Sequence, residues 1–233
     1  MLLELEALSA GYGKIAVLHE VSLEVASGEC VALLGSNNAG KTTLLRVISG
    51  LVASRGGRVK FGGEDIGAEP PKRRVGRGLV QVPEGRHVFA DLTVEENLLL
   101  GGLRLGNVAK RRARLAQMYD SFPLLARLRM RRAGVLSGGE QQVVAIGRGL
   151  MAEPRILMLD EPTLGLSPVA VDRVEDVLSS IRKAGTTMVI VEQNVQLCFE
   201  LCSRGYVLRQ GRVAMAGSMD RLSAEDLKQA YFA

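Results

Sequence analysis

The chain has 233 residues, 47% of them hydrophobic and 24% charged, with few aromatics and no Trp. That length buries a real core in one or two subdomains, and the balance is that of an ordinary soluble globular protein. Three cysteines make no disulfide framework, and no apolar run approaches the roughly 20 residues that span a bilayer.

In chain order, Leu3, Leu5 and Ala7 alternate with Glu4 and Glu6, and Val21, Leu23 and Val25 alternate with Ser22 and Glu24. Both runs predict half-buried strands. The first residues lack the basic start of a signal peptide, so a cytoplasmic location is expected. Val31–Leu34 is a short apolar run that reads as a buried strand. Gly35-Ser36-Asn37-Asn38-Ala39-Gly40-Lys41-Thr42-Thr43 follows it, and Leu44–Ile48 has helical spacing. Strand, glycine-rich loop and helix together satisfy the context of a phosphate-binding P-loop. Its glycines let backbone N–H groups turn around phosphates, and the helix N-terminus adds positive potential. Lys41 is expected to reach the β- and γ-phosphates and Thr42 to ligate Mg²⁺. Asn38 replaces the usual glycine and is expected to tolerate a positive φ.

Arg58–Phe61 before Gly62-Gly63 predicts another strand. Thr93-Val94-Glu95-Glu96 is a capping box that opens a helix through Leu100. Leu115, Met118, Tyr119 and Phe122 lie on one face of a second helix. From Arg104 to Arg132 there are nine basic residues and one acid, Asp120, so this stretch carries +8 while the whole chain carries +5. Such a stretch suits an anionic partner or membrane surface, or a solvated helix face. In Leu136-Ser137-Gly138-Gly139-Glu140-Gln141-Gln142, Ser137 suits a helix N-cap, and the N-terminus behind it is a second anion site.

Ile156–Leu159 reads as a buried strand that delivers Asp160 and Glu161 to its carboxyl end, where ligands bind in open α/β sheets. Asp160 is expected to hold Mg²⁺, and Glu161 to polarise an attacking water. Ser167 and Pro168 open a helix whose apolar face is Val171, Val174, Val177, Leu178 and Ile181, ended by Gly185. Met188–Val191 is the next buried strand. The alternation predicts a mainly parallel sheet with helices on both faces. Cys198 and Cys202, spaced i, i+4, share a helix face, and with Cys30 they are expected to be core residues.

GSNNAGKTT, LSGGEQQ and ILMLDE, in this order and spacing, resemble the ATP-binding subunits of ABC transporters, and the resemblance covers essentially the whole chain. It implies an α/β P-loop NTPase core with an N-terminal antiparallel β subdomain and an inserted helical subdomain. The core would be residues 1–85 and 136–233, and the insert 86–135. Val82–Phe89, Glu161–Pro168 and Val191–Asn194 resemble the subfamily for branched-chain amino acid uptake, whose near relatives serve urea and short amides.

What the resemblance implies is an ATP-hydrolysing importer subunit on the cytoplasmic face of the cell membrane. ATP and Mg²⁺ are the implied ligands. A second ATP-binding subunit and two integral membrane permease subunits are the implied partners, with a solute-binding protein acting indirectly; no nucleic acid is expected. Tyr12 matches the aromatic that stacks on adenine. Ser137, Gly138 and Gly139 would complete the ATP site of the opposite subunit. Glu84 stands where the family carries a metal-sensing Gln, with Gln81 the competing position. Gln193 replaces the switch histidine and cannot become cationic. The Asp usual in the loop after the catalytic Glu is missing from Leu164–Pro168.

Overall fold

A computed structural model describes residues 1–222. The strands are β1 (Leu3–Tyr12), β2 (Ile15–Val25), β3 (Cys30–Leu34), β4 (Ser54–Phe61), β5 (Glu64–Asp65), β6 (Leu79–Val82), β7 (Ile156–Asp160), β8 (Thr187–Val191), β9 (Arg204–Arg209) and β10 (Arg212–Ser218). The helices are α1 (Lys41–Ile48), α2 (Pro71–Gly76), α3 (Val94–Gly101), α4 (Val108–Ser121), α5 (Pro123–Leu128), α6 (Gly138–Leu150), α7 (Pro168–Lys183) and α8 (Val195–Leu201).

Two sheets result. An antiparallel sheet has the order β2-β1-β4-β5, and a larger sheet has the order β10-β9-β3-β8-β7-β6. In the larger sheet the β9–β10 pair is antiparallel and the other neighbours are parallel. β3, β7 and β8 are buried at every residue, which explains why they read as continuous apolar runs. Ala32, Leu157, Leu159, Met188 and Ile190 face a core shared with α6, α7 and α8. Val31, Leu33, Ile156, Met158, Val189 and Val191 face the opposite core. There the covering layer is α1 and the β1–β2–β4 sheet, so helices do lie on both faces, but on this one β-structure shares the cover.

Ala7 is a second correction. It is exposed with φ +46°, and Leu8 takes the buried place. Strand pairing shifts register between Leu5 and Leu8, which marks a β-bulge. The carbonyls of Glu6 and Ala7 turn onto Gly57, where a Cβ would lie 2.4 Å from each oxygen.

The capping box at Thr93 and Glu96 forms, and Tyr119 on α4 donates to Glu95 Oε2 at 3.0 Å. Phe122 lies one residue past α4, in the bend that Pro123 imposes, so it does not extend that helix face. Thr93 and Arg132 pair as an isolated bridge across the base of the α3–α5 segment. Ser167 precedes Pro168 at the start of α7 but makes no side-chain cap bond. Cys30 and Cys202 bring their sulfurs to 3.3 Å, and all three cysteines are buried and free. Cys202 stands just beyond α8 rather than on its face. Of the proposed core range 136–233, residues 223–233 lie outside the described residues.

Candidate nucleotide site

β3, β8, β7 and β6 are consecutive neighbours with the same direction, so their carboxyl ends open on one edge. The P-loop leaves β3 there, Asp160 ends β7, Gln193 follows β8 and Glu84 follows β6. A cavity of about 680 Å³ occupies this edge. Residues 37–43 of the loop line it, together with Val17, Glu84, Glu161, Leu164 and Gln193.

The loop is shaped by its left-handed residues: Gly35 at φ +148°, Asn38 at +66° and Gly40 at +103°. Asn38 therefore adopts the conformation for which glycine is usual, at low cost for an Asn. α1 begins at Lys41 without a side-chain cap and without an acid in its first turn. Its first N–H groups thus carry the positive end of the helix dipole toward the cavity. Lys41 is 5% exposed; its Nζ donates to the carbonyls of Gly35 and Ser36 at 2.7 and 3.0 Å. It also stands 3.6 Å from Glu161 Oε1.

Thr42 Oγ1 donates to Asp160 Oδ1 at 3.1 Å. Asp160 is buried, and burial pushes its carboxyl up to about 6; the Thr42 hydrogen bond opposes this, and the nearby Glu84 and Glu161 add to it. A hydroxyl and a carboxylate, with the Glu84 carboxylate on the cavity wall, form an all-oxygen donor set suited to a hard cation such as Mg²⁺. Glu161 has φ +46°, a strained position for a non-glycine residue, and its N–H donates to Val191 O at 2.8 Å. Gln193 Nε2 lies within hydrogen-bonding distance of both Glu161 oxygens, at 3.0 and 2.8 Å, and of Asn37 Oδ1 at 2.8 Å. The switch position, the acid and the P-loop therefore touch one another.

Gln81 points elsewhere. It accepts a hydrogen bond from Ser49 and lines a different groove, so of the two competing positions it is Glu84 that borders the cavity. Tyr12 lies at the end of β1, outside the cavity wall, and accepts from Arg46 Nη1 at 3.2 Å. Ser137, Gly138 and Gly139 also lie off this cavity, at the start of α6. Ser137 and Glu140 form a reciprocal capping box, and a Cβ on Gly139 would meet that of Ala170 at 2.6 Å. The P-loop and this second anion site are not brought together within one chain.

Two contributors escaped the sequence reading. Gly211, in the β9–β10 turn, donates to Ala39 O at 3.0 Å and accepts from His19 N at 2.8 Å, bracing the P-loop against β2. A Cβ there would sit 1.8 Å from Val17 O. The other is Glu192, 3% exposed between the two loops that carry Glu161 and Gln193. Its sequence signal is the same as that of Asp160: an acid directly after an apolar strand.

The sequence profile of the ABC transporter family matches residues 18–164, more than half of the chain. The chain belongs to the ABC transporter family. As a member it is an ATP-binding, ATP-hydrolysing transporter subunit. It is 41% identical to the high-affinity branched-chain amino acid transport ATP-binding protein BraG of Pseudomonas aeruginosa, over 92% of this chain and 91% of that one. It is 33% identical to the lipopolysaccharide export system ATP-binding protein LptB of Haemophilus influenzae, over 99% and 96%. The fold of this ABC ATPase superimposes on a nucleotide-free ATP-binding cassette from an ABC transporter with a TM-score of 0.86 and 26% identity, over 98% of this chain and 94% of the other.

Proposed function

We propose that this ABC ATPase powers uptake of branched-chain amino acids through separate membrane subunits. The observation that carries the reading is the similarity to BraG along nearly the full length of both chains. The resemblance of Val82–Phe89 and Val191–Asn194 to the same subfamily supports it.

In this reading the P-loop N–H groups and the α1 dipole bind the ATP phosphates, with Lys41 moving from the Gly35 and Ser36 carbonyls onto them. Thr42, Asp160 and Glu84 would hold Mg²⁺, which would supply neutralisation of phosphate charge. Glu161 orients and polarises the attacking water. Gln193 fixes Glu161 against Asn37 before nucleotide arrives, and then donates to the γ-phosphate. Tyr12 stacks on adenine. Ser137, Gly138 and Gly139 contact the nucleotide of a second ATP-binding subunit, which fits their position away from this chain's own cavity.

Coupling to the membrane runs through the α3–α5 segment, the helical insert of this reading, and the loop at Glu84–Phe89. Beside them lies a groove of about 710 Å³ lined by Val75, Val88, Phe89, Leu100 and Leu103, with Arg148 over the Phe89 ring at 5.2 Å. No helix of the described residues is long and apolar enough to cross a membrane; in this reading the permease subunits provide the attachment.

The test is a gentle-detergent pull-down of the tagged chain, followed by ATPase assays of the complex with candidate solutes. Two membrane subunits, a second ATPase and leucine-stimulated turnover are expected. Stimulation only by urea or short amides moves the substrate to those solutes. Recovery of lipopolysaccharide-export components, in line with the LptB similarity, replaces uptake with export, and recovery of nothing from the membrane sinks the transport reading.

A further inference from the structure

The loop after β7 and the loop after β8 meet through one buried side chain. Glu192 directly follows β8 and is 3% exposed. Its Oε1 accepts from Thr163 N at 2.8 Å and from Thr163 Oγ1 at 2.7 Å. Its Oε2 accepts from Gln193 N at 3.0 Å and from Asn194 N at 3.3 Å. One carboxylate oxygen thus serves the loop of Glu161, and the other serves the loop of Gln193.

We propose that Glu192 is a positioning residue for ATP hydrolysis: its carboxylate locks the Glu161 loop to the Gln193 loop, so that acid and switch residue keep one relative placement.

Only an ionised carboxylate has acceptors on both sides and no hydrogen to misplace. Its bonds to N–H groups are charge-assisted and roughly twice as strong as neutral ones. An amide of the same shape can accept on one side only. Its NH₂ would face N–H donors on the other side, and one loop would come free with its buried donors unpaired. The geometry at risk is specific. Glu161 sits at φ +46°, held at its N–H by Val191 O, and its carboxylate meets Gln193 Nε2 at 2.8 and 3.0 Å. Thr163 lies two residues beyond Glu161, and Gln193 is held through its own backbone N–H, so a small rotation of either loop breaks that contact. Such loss falls on the chemical step, because the phosphate-binding loop does not touch Glu192 through any of its four bonds.

The inference rests on the reading that Glu161 acts on water, so Glu161→Gln in the full chain is the control; if that variant keeps turning over, the reading of the site fails. With turnover lost in the control, Glu192→Gln is compared with the parent chain in steady-state ATP hydrolysis and in nucleotide binding. We expect kcat to fall about tenfold or more while KM for ATP and nucleotide affinity stay within about twofold. In a Gln193→Ala background the same change should alter kcat by less than about threefold, because the partner it positions is gone. A full-sized loss in both backgrounds, an unchanged kcat, or a loss confined to KM overturns the inference. Should Glu192→Gln fail to fold, Thr163→Val removes one of the donors to Oε1 at constant size; a kcat fall of about threefold with KM unchanged is expected, and no fall overturns it.

Discussion

Asp160 gives the candidate nucleotide site a pH signature. In the unfolded chain its carboxyl ionises near the ordinary value of about 4. In the folded chain burial raises it to about 6. Between these values the folded state keeps a proton that the unfolded state has lost. Stability from this group is therefore present below about pH 4 and is lost as pH rises to about 6. Above that, the buried charge costs on the order of 3 kcal/mol. Asp160→Asn keeps an acceptor for Thr42 Oγ1 and removes the charge. The nucleotide-free variant is expected to melt about 6–12 °C higher at pH 7, with the gain shrinking toward zero at pH 4. Thermal unfolding across that range checks this, and a gain that does not depend on pH would refute it. The placement of the P-loop residues, Asp160 and Glu161 at one edge of the sheet was legible in the sequence because each is set within a few consecutive residues. Glu192 was not, because its donors at Thr163 lie in another loop that only the β7–β8 pairing brings near. The exposure of Ala7 was not either, since a bulge leaves the apolar alternation before it unchanged.

At the scale of elements, α1 is anchored at its far end. Arg74 on α2 is 3% exposed, and its Nη1 donates to the carbonyls of Val47 and Ile48 at 2.8 Å each. Its Nε and Nη2 donate to Glu69 O and Gly67 O. The guanidinium meets the last carbonyls and the negative end of the dipole of the helix whose other end faces the cavity. Burial lowers its pKa, and Glu69 and Asp65 oppose that. Arg74→Leu leaves four carbonyls without this donor and should cost about 3 kcal/mol, read as a lower melting temperature by about 6–12 °C. A change within 2 °C, or roughly the scatter of surface substitutions, would show that water replaces the guanidinium. The strands β3, β7 and β8 and the capped starts of α3 and α6 were readable because period and cap chemistry are local. β9 and β10 were not, because their residues alternate less cleanly and their placement depends on pairing with β3 and with each other.

Across the whole molecule, the basic stretch divides once it is folded. Arg104 donates to the carbonyls of Val75 and Gly76, and Arg114 to that of Leu150, while Arg111 is half-buried beside Gly102. Arg104, though exposed, and Arg114 thus tie down backbone carbonyls. Lys110, Arg112, Arg127, Arg129, Arg131 and Arg132 remain exposed. If that surface meets an anionic leaflet, each basic residue contributes about 1 kcal/mol. Lys110→Glu with Arg112→Glu should then weaken sedimentation with anionic vesicles by about tenfold or more at low salt, with the difference vanishing at high salt. Unchanged binding would assign the charge to solvation alone. Arg114→Glu is unsuited to this test, because it also removes the donor to Leu150.

The bracing of the P-loop by Gly211 has a consequence during synthesis. The phosphate loop leaves the ribosome well before β8 and β9, which flank its strand, and before the turn that holds Ala39 and His19. A nascent chain shorter than this turn has the motif without its walls, and closing such long-range contacts is slow. ATP capture thus marks a chain that has been translated past Gly211, and stalled fragments that carry the whole motif but stop short of it should remain unable to compete for nucleotide.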